Sequence, residues 1–295
     1  MPHRALDPHI NAGWRAVILV ALLSAAPAQA HEFWIEPQHY RVAPGATVAL
    51  RLFVGQDFKG DALIYLPELV ERFVHVGPQG ETSIDAVPGD DPAGEINVTE
   101  TGLHRVAYRS KASSISFNSR DEFERYLDLE GLERIRETSD YNARTRPPIH
   151  ELFSRCAKTL IGAGASPAGT DQPLGLRLEL IAERNPYTPG DFTRTPVRLL
   201  LDGKPLAGAL VKAFHHSDPR YNTRARTDAQ GRALLDLHHP GVWLLNAVHL
   251  FPASAAAHAQ WESLWASLTF QLDETVLRPP RASSDSNAST GSGRL

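Results

Sequence analysis

Hydrophobic and polar positions alternate in short runs over most of the chain. Val48, Leu50, Leu52 and Val54 are separated by Ala49, Arg51 and Phe53, with Pro44-Gly45 ahead and Gly55 behind. A period of two bounded by turn residues predicts a half-buried strand. Residues 73–76 and 103–108 predict two more, the second after Thr101-Gly102. The pattern returns with Leu176, Leu178 and Leu180, then at residues 197–201, 206–214, 232–237, 242–250 and 267–272. Asp202-Gly203, Asp228-Ala229-Gln230-Gly231 and Pro240-Gly241 punctuate these runs, and 197–201 with 206–214 reads as a hairpin.

The period changes between residues 118 and 138. Phe123, Leu127 and Ile135 follow helical spacing, with Asn118 or Ser119 as N-cap and acidic residues in the first turn. Gly131 interrupts the run, so two short helices are expected, and the glutamates of 121–137 read as their solvated face. Residues 139–148 read as a polar loop, and 150–161 suit a helix or a strand equally. The Gly, Ala and Pro of 162–173 read as a link between two units. The predicted fold is mainly β: two antiparallel sandwiches of immunoglobulin-like or prealbumin-like type. The first spans 31–172 with a helical insertion near 118–138. The second spans 173–272, and 273–295 forms a disordered tail.

Composition narrows the function. The 295 residues are 42% hydrophobic and 22% charged, as in an ordinary globular protein. A net charge of −4 without a Lys/Arg block gives no electrostatic footprint for nucleic acid. The single cysteine, Cys156, excludes an intrachain disulfide and a multi-thiolate metal site, and the single methionine is Met1. Arg4 and Arg15, the apolar run 16–26 and Ala28-Gln29-Ala30 read as a signal peptide over residues 1–30. Cleavage after Ala30 leaves a periplasmic or secreted chain that does not span a membrane and begins at His31.

Residues 203–250, GKPLAGALVKAF…TDAQGRALLDLHHPGVWLLNAVHL, resemble the transthyretin-like or carboxypeptidase-regulatory β-sandwich. HEFWIEP at 31–37, VGQDFKGD at 54–61, the run at 123–132, SRCAKTL at 154–160 and WESLWASLTF at 261–270 resemble one exported bacterial family of unknown function. Its members are described as periplasmic components of nickel or cobalt uptake. Cys156 stands where that family usually has an aromatic.

His31 is the sharpest chemical signal. As a first residue it offers an α-amine and an imidazole Nδ1 that close one chelate ring on a metal. Nickel(II) and copper(II) favour such nitrogen donors. Further ligands are sought in His249, at the end of WLLNAVHL, in His104, and in Glu262 as a carboxylate or as an orienting acceptor. His39, His75 and His150 show no partner, and Trp34, Trp243, Trp261 and Trp265 read as core. No G-x-S-x-G, H-E-x-x-H, Walker or dinucleotide fingerprint occurs. The leading expectation is a non-enzymatic binding protein for a divalent transition metal (nickel, cobalt or copper) that serves an inner-membrane transporter. A histidine-brace copper oxygenase and a metal-free envelope interaction module are the alternatives.

Overall fold

The computed structural model describes residues 32–277. The expected signal peptide, His31 and most of the expected tail lie outside the described residues. The chain opens with β1 (Glu32–Pro37), a two-residue β2 (Arg41–Val42), β3 (Ala46–Gln56) and β4 (Lys59–Leu63). Next come β5 (Val70–Gly77), β6 (Gly80–Ser83), β7 (Gly94–Val98), β8 (Gly102–Ser110) and β9 (Ser113–Phe117). The helical segment follows as α1 (Arg120–Glu130), a 3-10 stretch at Glu133–Glu137 and α2 (Tyr141–Arg144). A 15-residue strand, β10 (Ile149–Ala163), leads to β11 (Leu178–Ala182), β12 (Thr195–Leu201) and the two-residue β13 (Lys204–Pro205). The chain closes with β14 (Leu210–His215), β15 (Thr223–Arg226), β16 (Arg232–Leu235), β17 (Gly241–Pro252), β18 (Trp261–Leu272) and α3 (Glu274–Leu277).

The fold is mostly strand in a sandwich arrangement, as the alternation predicts. Four local expectations change. Residues 150–161 belong to β10, with every side chain from Cys156 to Ala163 buried. The polar loop at 139–148 contains α2, whose Tyr141 is buried. Residues 206–214 are not the return arm of a hairpin: β12 pairs only with Lys204–Pro205 on that side, and β14 crosses to another sheet. The first residues of the expected tail form α3, pinned by buried Val276.

Three sheets build the described residues. A ten-stranded sheet runs β15-β14-β17-β18-β10-β8-β5-β6, with β9 and β2 also on β10. It contains strands from both expected halves, joined by the parallel pairing of β10 with β18 from Glu151↔Trp261 to Thr159↔Thr269. Side chains alternate across it. On one face Ala157 and Ile161 of β10 meet Phe33, Ile35, Val48 and Leu50 of the four-stranded sheet β1, β3, β4 and β7. On the other face Trp243, Leu245, Leu264 and Leu268 meet Leu180, Val197 and Leu199 of the sheet β11, β12, β13 and β16. The small sheets therefore cover opposite faces. The stretch of the first face that the sheet of β1, β3, β4 and β7 leaves bare is covered by α1 and α2, through Phe123, Leu127 and Tyr141 on Val248, Trp261 and Trp265.

Candidate functional site

A cavity of about 490 Å³ lies where α1, β1, the β3–β4 turn and the β14–β15 hairpin meet. One wall is α1. Ser119 caps it by accepting from the Glu122 N–H at 3.1 Å, and Glu122 accepts from the Asn118 N–H at 2.9 Å. Gly131 ends it at φ 69°, a left-handed conformation that glycine adopts without strain. The buried stripe is Phe123, Tyr126, Leu127 and Glu130, so the helix presents Tyr126 and Glu130 inward. The β3–β4 turn supplies a second wall. Asp57 and Phe58 occupy its centre at φ 54° and 62°, unusual for a bulky residue such as Phe58. Phe58 is held there by burial against Trp34, Phe214 and Leu244. The same turn aims the Asp57 N–H at Glu32 Oε2, 3.0 Å away.

The floor is a charged cluster. Lys212 Nζ on β14 lies 2.6 Å from Glu130 Oε2 and 3.5 Å from Glu32 Oε1. Burial pushes the Glu32 carboxyl up to about 7, against the attraction of Lys212 and with Glu130 and Asp57 raising it further. Burial likewise raises Glu130, with Lys212 opposing. Tyr126 extends the cluster by donating to Glu151 Oε1 at 3.3 Å, where Ser263 also donates. Glu151 is fully buried, its Oε2 has no hydrogen-bond partner, and burial pushes it up to about 7. Farther along the same sheet face Asn246, opposite Lys212, is buried with Oδ1 unpartnered. The rim carries both signs: Arg125, Arg224 and Asp57 are exposed, and Glu122 is half-buried. Phe117, Phe214 and Leu129 give the cavity apolar walls.

The sequence-predicted ligands do not gather here. His31 lies outside the described residues. His104 is buried on β8, 2.9 Å from His75, and its Nε2 faces the Glu100 carbonyl at 3.0 Å. Burial holds both imidazoles below their ordinary range, His75 at about 4, so this is a neutral pair at neutral pH. Four strand spacings, about 19 Å, separate β8 from β14 in the sheet. His249 shares a face with Trp243, Leu245 and Ala247, as its register predicts. That is the face opposite Lys212, so the sheet backbone stands between His249 and Glu32. Glu262 lies on the His249 side and binds Arg177 at 2.7 Å, while that guanidinium covers Phe251. His104, His249 and Glu262 therefore cannot complete a chelate begun beside Glu32. Among the described residues, no group of three His, Cys, Asp or Glu side chains is placed to hold a metal ion.

The residues that matter at the cavity were legible only in part. Glu130 completes the spacing 123, 126, 127, 130 of the buried stripe, so it is not on the solvated face assigned to the helix glutamates. Lys212 sits in the alternating LVKAFH, and Glu151 in a run whose secondary structure was ambiguous. His75, expected to lack a partner, has His104. Trp34, Trp243, Trp261 and Trp265 are core, none more than 3% exposed.

Solved structures similar to this chain give little further. The D0-D1 domain of intimin is 10% identical with a TM-score of 0.20, over 81% of this chain and 97% of that one. A Salmonella alpha-2-macroglobulin mutant is 13% identical with a TM-score of 0.20, over 83% of this chain and 15% of that one. No curated protein matches the sequence. Among the described residues no helix is long and apolar enough to cross a membrane. A family described as a domain of unknown function, DUF4198, matches residues 28–250, from before the first strand into the end of β17, and the chain belongs to that family.

Proposed function

We propose that this chain is an exported, non-enzymatic binding protein that captures a transition-metal ion, nickel or cobalt with copper as the alternative, for an inner-membrane transporter. The observation that carries this reading is the position of Glu32. It follows His31 directly in the chain, it is only 3% exposed, and it shares Lys212 with Glu130. A processed His31 would bring an amine and an imidazole to within one residue of two buried carboxylates. A divalent cation entering between Glu32 and Glu130 would displace the Lys212 ammonium. The cation's own charge would then replace the attraction by which Lys212 offsets the burial of Glu32. The export signal and the family resemblance support the same reading, with the transthyretin-like stretch serving as scaffold. A histidine-brace oxygenase needs a second imidazole, and among the described residues none lining the cavity is a histidine.

Calorimetric titration with Ni(II), Co(II) and Cu(II) tests the reading. His31→Ala and Glu130→Gln should each weaken binding at least tenfold, on the scale of losing a ligand or its support. Lys212→Met should strengthen it, because a competing charge is gone. Unchanged affinity in His31→Ala would remove the reading.

A further inference from the structure

The cavity beside Glu32 is far larger than one ion requires. Its roughly 490 Å³ falls in the range of small-molecule sites, whereas one water occupies only about 30 Å³. Its unpaired cations lie at the mouth, and its deepest carboxylates surround a paired one. The floor holds Glu32 and Glu130, both buried, around Lys212. The rim holds Arg125 and Arg224, both exposed and with no ion pair to another side chain among the described residues, beside the carboxylates of Asp57 and Glu122. A purely anionic ligand would meet two carboxylates at the bottom. A purely cationic one would meet two guanidiniums at the entrance. A molecule with an ammonium at one end and a carboxylate at the other satisfies both. Tyr126, Phe214 and Leu129 between the poles suit an apolar body.

We infer that this cavity binds a small zwitterion with an apolar side chain, of the α-amino acid or dipeptide class, its ammonium toward Glu130 and Glu32 and its carboxylate toward Arg125 and Arg224. Lys212 stays on Glu130 and orients it, while the second Glu130 oxygen and Glu32 accept from the ammonium. This inference concerns the same cavity as the metal reading but does not depend on it, because none of the contacts is made by His31.

The test is calorimetry on the protein expressed from the full sequence, in excess EDTA. The probes are L-phenylalanine, the dipeptide Leu-Phe, and the one-charge analogues phenethylamine and 3-phenylpropionate. At least one zwitterion should bind ten or more times tighter than either analogue, and which one does so separates amino acid from dipeptide. Arg125→Ala and Arg224→Ala alter exposed residues and should leave the melting temperature unchanged. Each should lower zwitterion affinity roughly tenfold and leave phenethylamine unaffected. Glu130→Gln should do the same with 3-phenylpropionate as the unaffected probe. No binding of either zwitterion, or an analogue binding as tightly, would overturn the inference. Since metal is absent from these titrations and the probes are absent from the metal titrations, each reading can fail alone.

Discussion

Glu151 is fully buried, receives hydrogen bonds from Tyr126 and Ser263 on one oxygen, and has none on the other. Such a carboxyl is most comfortable protonated, and burial raises it from 4.5 to about 7. The folded state therefore binds this proton more tightly than the unfolded chain does. The resulting stability is present in full below pH 4.5 and is lost as pH rises through 7, on the order of 3 kcal/mol. Urea unfolding at pH 5 and pH 8 should show wild type weakening more than Glu151→Gln, whose amide does not titrate. Parallel losses in the two proteins would mean that Glu151 is not the group responsible. At this scale the sequence was partly readable. The shared face of Trp243 and His249 followed from alternation alone. Which glutamate is buried depended on which helix face meets the sheet, and on a lysine 82 residues away.

The two elements that shape the cavity are a capped helix and a strained turn. Phe58 holds a left-handed backbone in the β3–β4 turn because its ring packs edge-on to Trp34, with centroids 5.2 Å apart. Removing that ring should destabilise the protein by about 3 kcal/mol, at the low end for a buried Phe→Ala change. Glycine relieves the backbone cost that alanine retains, about 1 kcal/mol. Phe58→Gly should therefore unfold at a higher urea concentration than Phe58→Ala, the reverse of the order expected at an ordinary strand position. If alanine is the more stable, the turn is not strained. The helix itself was foreseeable from its spacing and cap. The fate of 206–214 was not, because a run of alternating residues does not say which of two sheets it joins.

Across the whole molecule, one ten-stranded sheet carries a small sheet on each face, and β10 binds the two halves by parallel pairing with β18. That pairing joins residues 110 apart and leaves no local sequence signature. Turn density predicts sandwiches but not that they share a sheet. A buried ion cluster fastens the connection between the halves. Lys158 on β10 lies 2.8 Å from Asp171 and 3.3 Å from Glu179, and Glu179 also accepts the N–H groups of Leu174, Gly175 and Leu176. Lys158→Ala would strand two buried carboxylates and should cost about 3–5 kcal/mol in urea unfolding. A loss below 1 kcal/mol would show that the cluster is not a fastening.

The shared sheet also decides where a ligand can bind. Covering opposite faces, the small sheets leave a recess on the face that β1 crosses, and Glu32, the first described residue, lies in its floor. The measurement that bears most directly on the proposed function is Ni(II) titration of the processed protein beside a version carrying one extra residue ahead of His31. The extension keeps the imidazole and every cavity residue but converts the amine to an amide that ligates only after a costly deprotonation. Affinity should fall at least tenfold in the extended protein, with Glu130→Gln weakening what remains. Equal affinity in the native and extended proteins would contradict the account.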